Sequence, residues 1–133
     1  MPYLSHYTEK AKNEAYKQFG AFHAFSNKQF EEQRKEGVKY VHMGQNLICP
    51  KKNVQKFFEA LEKAHMDGIA ADKAENGQEA IIRRELSNYE VYWGGSLDDV
   101  VDALNLYGEG YKREDILPIY RKRYKEMQEN NEF

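Results

Sequence analysis

From Asn53 onward the apolar residues Val54, Phe57, Phe58, Leu61, Ala64 and Ile69 recur at the spacing of one helix face, and Asn76-Gly77 supplies a stop. The pattern predicts an amphipathic helix to about Glu75. Such a helix cannot cover its own apolar stripe, so it commits the chain to a layered fold in which other elements do so. The following segment supplies partners. Between Gln78 and about Trp93 a second helix is expected, with Ile82, Leu86, Tyr89 and Trp93 on one stripe beside Ile81, ended by Gly94-Gly95. Ser96-Leu97-Asp98-Asp99 has the form of a loose capping box and opens a helix with Val100, Val101 and Leu104 inward. A last helix spans about Arg113 to Glu129, where Pro118 is tolerable only in the first turn.

The first third of the chain is more mixed. Tyr7, Ala11, Ala15 and Phe19, at intervals of four, predict an opening helix that Gly20 ends. Val38, Tyr40 and Val41 are strand formers, and Gly44-Gln45-Asn46 separates them from Leu47-Ile48-Cys49 before Pro50, which reads as a hairpin. A lone hairpin is marginal in water. Ala21 to Phe25 is the expected third strand, followed by a short charged helix capped by Ser26 or Asn27, running to about Glu36 and stopped at Gly37. The expectation is an α+β fold: a mostly helical single domain over residues 1–133, with a small antiparallel sheet of two to three strands packed on a helical bundle.

Charge narrows the function. The 133 residues carry 20 Lys and Arg against 22 Asp and Glu, a net charge of −2. That balance excludes a polybasic nucleic-acid coater and a uniformly acidic mimic of nucleic acid. No apolar run approaches the roughly 18 residues that would span a bilayer, and Met1-Pro2-Tyr3-Leu4-Ser5 lacks a signal-peptide pattern. A cytoplasmic protein without a membrane partner is expected. The single cysteine, Cys49, reads as a buried, inert thiol.

Residues 78–110 hold 2 basic and 7 acidic side chains. Glu79 and Arg83 form an i,i+4 pair there. Glu90, Asp98, Asp99 and Asp102, with Trp93 as an aromatic anchor, form the expected partner-binding surface. The carboxylates of this stretch also suit a divalent cation, but helix-end electrostatics and ion pairing explain most of them. Arg121, Lys122, Arg123 and Lys125, flanked by Tyr120 and Tyr124, offer an alternative nucleic-acid surface, although the two tyrosines suit the core. Glu62 and His65 are a single Glu-x-x-His pair, whereas a di-iron bundle needs two. His23 and His42 lie on two expected strands and could face each other across the sheet, one ligand short of a usual zinc set. His6 stands alone. Gly108-Glu109-Gly110 lacks the third glycine of a nucleotide loop. No catalytic residue, metal or cofactor is expected.

The residues Ala24-Phe25-Ser26-Asn27-Lys28-Gln29-Phe30-Glu31-Glu32, Ile48-Cys49-Pro50-Lys51 and Glu85-Leu86-Ser87-Asn88-Tyr89-Glu90 resemble a family of small uncharacterised proteins from phages and mobile elements of gut bacteria. The resemblance covers roughly residues 20–106. Its relatives often read Glu-Leu-x-Asn-His-Glu; here Tyr89 replaces the histidine, so no metal or acid-base role carries over. The resemblance implies an anti-CRISPR or other anti-defence inhibitor in the bacterial host cytoplasm. Its partner would be a host or defence-system protein such as a CRISPR effector. A nucleic-acid accessory protein and a carboxylate-dependent magnesium enzyme are the competing classes.

Overall fold

Six α-helices and three short strands make up the computed structural model, which describes residues 1–133. They are α1 (Leu4–Phe19), β1 (Phe22–His23), α2 (Asn27–Gln33), β2 (Tyr40–His42), β3 (Leu47–Pro50), α3 (Val54–Asn76), α4 (Gln78–Asn88), α5 (Leu97–Ala103) and α6 (Arg113–Glu129). Short 3-10 turns follow β3, α4 and α5. The fold is α+β and mostly helical, as the residue pattern predicts. The chain divides into two compact units, Thr8–Asp67 and Met1–Tyr7 with Gly68–Phe133.

In the unit of residues 8–67, the strands pair antiparallel in the order β1-β3-β2. Val41 lies opposite Cys49, and Gly44, Gln45 and Asn46 all take positive φ in the connecting turn. The third strand is shorter than the expected Ala21 to Phe25, because Ser26 turns the chain into α2 by accepting from the Gln29 amide at 3.2 Å. α2 in turn stops at Gln33, short of Glu36, where Arg34 becomes extended. His23 and His42 do not face each other: β3 runs between their strands, with Leu47 opposite His23 and Ile48 opposite His42.

Ala15, Ala21, Cys49 and Phe57 form the core of this unit, with Tyr16 set edge-on to Phe57 at 5.1 Å. Burial pushes the Cys49 thiol pKa up, the opposite of what a nucleophile needs. Two residues expected on inward stripes, Ala11 and Phe58, are exposed instead. Phe57 already fills the core from the neighbouring position, and a helix cannot direct two successive side chains to one place.

In the other unit, α4 packs on α5 and α6 around Ile81, Ile82, Leu86, Val100, Ile116 and Met127. α4 ends at Asn88 rather than Trp93. Glu90 adopts a left-handed conformation at φ 52°, and its carbonyl accepts from the amides of Trp93 at 3.0 Å and Gly95 at 2.9 Å. Only glycine fits at 95, since a Cβ there would overlap the Tyr89 carbonyl oxygen. Pro118 lies inside α6 and not in its first turn; it is exposed and, having no N–H, cannot bond the Glu114 carbonyl. No helix is long and apolar enough to cross a membrane.

Candidate functional surface

The turn after α4 decides which aromatic side chains reach solvent. Tyr92 points inward and is buried, while its neighbour Trp93 is 60% exposed. Trp93 meets Phe133 at 6.4 Å, Phe133 meets Tyr124 at 5.1 Å, and Tyr124 meets Tyr120 at 6.0 Å. Tyr120 stacks on Tyr92 at 5.1 Å with planes 5° apart, and Tyr92 meets Trp93 edge-on at 6.0 Å. Five rings therefore close a circuit that begins in the core and ends on the surface. Trp93, Tyr124 and Phe133 are its exposed members. The expectation that Trp93 lies on an inward stripe and that Tyr124 faces the core fails because α4 ends early and α6 turns Tyr124 outward. Burial pushes the Tyr92 hydroxyl pKa up to about 12, and its oxygen has no hydrogen-bond partner.

Charge is distributed unevenly over the turn after α4, α5 and α6. Glu90, Asp99 and Asp102 are exposed and make no ion pair, and the last two are neighbours on α5 at i,i+3. Asp98 is held by Arg113. The α5 cap is simpler than the expected box: Ser96 accepts from the Asp98 amide at 3.2 Å. On α6, Lys122 reaches Glu79 at 3.3 Å, and Arg123 reaches Glu132 at 3.2 Å and Glu126 at 3.6 Å. Only Arg121 and Lys125 of that basic run are without an ion pair. Arg121 shares with Tyr120 and Tyr124 a shallow cavity of about 180 Å³.

A second polar group lies inside the same unit. Arg84 donates to both carboxylate oxygens of Asp72 at 2.9 Å each, and its Nε donates to Glu85 at 2.9 Å. The Tyr107 hydroxyl and the Asn76 amide also donate to Asp72, at 2.5 and 2.8 Å. Asp72 is 0%, Glu85 7% and Arg84 8% exposed. Burial alone would raise the Asp72 pKa, but the hydrogen bonds from Arg84, Tyr107 and Asn76 outweigh it and hold the carboxyl below its usual range. Burial would lower the Arg84 pKa, and the bonds to Asp72, Glu85 and Tyr107 reverse that. Burial and the bond to Asp72 together raise Tyr107. Every member is committed to another, so the group is a structural tie and offers no free base.

Arg84 and Glu85 belong to the charged stretch 78–110, and both are buried. The periodicity held the signal, because Asp72 falls three residues after buried Ile69 and Arg84 three after buried Ile81. A lone acid and a lone base on the inward stripes of successive helices imply a buried pair. Glu85, Asn88, Tyr89 and Tyr107 border a cleft of about 330 Å³ beside this group. No three His, Cys, Asp or Glu side chains are gathered in a way that could hold a metal ion.

No curated protein and no solved structure matches the chain. One family model does, over residues 4–128, and its extent takes in both units, the aromatic circuit up to Tyr124 and the Asp72–Arg84 tie. The chain therefore belongs to DUF7659, a family of unknown function.

Proposed function

We propose that this chain is a protein-binding module whose working surface combines the exposed rings Trp93, Tyr124 and Phe133 with the carboxylates Glu90, Asp99 and Asp102. The observation that carries the reading is the exposure of Trp93 at 60% while the Tyr92 and Phe133 rings hold it in place. A large aromatic side chain fixed at the surface is an anchor that loses little entropy on binding. Its partner presents arginine and lysine side chains. Guanidinium groups stack on indole and phenol rings, and the unpaired carboxylates supply the complementary charge.

Proteins that handle nucleic acid carry such basic surfaces. The specific form of the proposal is an inhibitor that occupies the basic groove of a bacterial immune nuclease in the cytoplasm. Charge complementarity and the resemblance to phage-encoded proteins support it. The competing nucleic-acid reading has less support, since Lys122 and Arg123 are already held by carboxylates. A magnesium site at Glu85 and Asp98 has less again, since arginines hold both.

The test is co-purification from a bacterial host after nuclease treatment, comparing the native chain with Trp93→Ala. A stoichiometric partner with a basic surface, lost on the substitution, is expected. A partner retained by Trp93→Ala, or affinity for bare nucleic acid in its place, contradicts the proposal.

A further inference from the structure

The unit of residues 8–67 carries 11 basic and 8 acidic side chains, and its unpaired cations are not spread evenly. Lys17 near the end of α1, Lys35 and Lys39 in the segment before β2, and Lys51 and Lys52 in the turn after β3 converge on two adjoining cavities. The cavities measure about 520 and 220 Å³ and share Val38 and Lys52 in their walls. No carboxylate lines either one. None of the five lysines makes an ion pair, although carboxylates elsewhere in the chain engage lysine or arginine ten times.

The backbone around these lysines is tied in place. The Lys51 amide donates to the Lys39 carbonyl at 2.9 Å, fixing two of them side by side. The Lys35 amide donates to the Tyr40 hydroxyl at 2.8 Å, and the Asn53 side chain donates to the Phe19 carbonyl at 2.9 Å, joining the turn after β3 to the end of α1. Phe22 and Tyr40, packed edge to face at 5.6 Å, form part of the wall. Like charges gathered around a concavity repel one another, and only a bound anion turns that repulsion into binding energy. Lysine serves such sites as a point charge for phosphate, and the larger cavity falls within the roughly 300–1,000 Å³ of small-molecule sites.

We infer that this lysine-lined cleft is a binding site for a small ligand bearing two or more phosphates. Three separate stretches of chain contribute charge, so the cleft matches an extended polyphosphate better than a single phosphate. The aromatic wall is placed to accept a base if the phosphates belong to a nucleotide.

Calorimetric titration of the full chain with inorganic triphosphate, ATP and a short single-stranded oligonucleotide tests the inference. Triphosphate and ATP are expected to saturate one site. Lys39→Glu and Lys52→Glu should each weaken both by about tenfold or more, the loss of one charge-assisted contact. Lys10→Glu, an exposed lysine outside the cleft, should leave affinity within about twofold. Matching thermal melts establish that these surface variants fold, and Lys39→Arg should bind. Tighter binding of ATP than of triphosphate identifies a nucleotide, and equal binding identifies the phosphate chain alone; either supports the site. Absence of saturable binding, indifference to Lys39→Glu and Lys52→Glu, or tighter binding of the oligonucleotide than of both small ligands overturns it.

Discussion

Arg84 and Asp72 face each other through two parallel hydrogen bonds of 2.9 Å, both side chains almost wholly out of water. Removing one partner strands the other charge in the interior. Asp72→Ala is expected to cost about 3–5 kcal/mol of stability, while replacing both residues by apolar ones of similar volume should cost much less. Urea denaturation of the single and double variants measures this. A loss below about 1 kcal/mol for Asp72→Ala would show that Arg84 finds water.

Stability should fall at both ends of the pH scale for different reasons. Asp72 is held below its ordinary range, so its contribution is present above about pH 3.9 and lost as pH falls through its folded value. Tyr92 and Tyr107 are raised by burial, so the fold favours their neutral forms. Their contribution is present below about pH 10 and lost above it, for Tyr92 as pH rises to about 12. Thermal midpoints across pH should show both limbs. Tyr92→Phe is expected to flatten the alkaline one, and an unchanged limb in that variant would assign it to the other raised tyrosines, Tyr107 and Tyr111 among them.

The turn that presents Trp93 depends on Gly95. In Gly95→Ala the new Cβ collides with the Tyr89 carbonyl and lies 2.8 Å from the Glu90 carbonyl carbon, so the turn must open. A loss of about 1–3 kcal/mol is expected, with a shift in Trp93 fluorescence as its ring leaves Phe133. Gly44→Ala, which meets nothing within 4 Å, should cost only the strain of its positive φ and leave the emission unchanged.

Trp93→Ala separates binding from folding. An exposed ring contributes little to the core, so stability should change by about 0.5–1 kcal/mol. Loss of an anchor from a protein interface, by contrast, should cost about 2 kcal/mol or more of binding. Comparable losses in unfolding and binding measurements would make Trp93 a structural residue.

The helices from Val54 onward were readable because their apolar stripes are long, and α3 stops at the Asn76-Gly77 pair. The hairpin was readable from Gly44-Gln45-Asn46. The end of α4 was not, because Tyr89 and Trp93 continue the helical spacing, and only the left-handed Glu90 and the close approach at Gly95 break it. Of the surface, Glu90, Asp99 and Asp102 were legible as charge, but the closure of five rings around Trp93 depends on Phe133, to which no periodic pattern points. The lysine cleft was hidden for a similar reason. Its five charges come from three stretches of chain, and local counts over residues 1–49 are nearly balanced at 7 basic and 5 acidic.

The most direct test of the binding surface is a charge-reversal comparison on the co-purified complex. Asp99→Lys with Asp102→Lys should weaken it far more than Lys122→Glu with Arg123→Glu, since the first pair is free and the second is already held by carboxylates. Equal losses from the two double variants, or a greater loss from the second, would contradict a partner docked on the acidic, aromatic face.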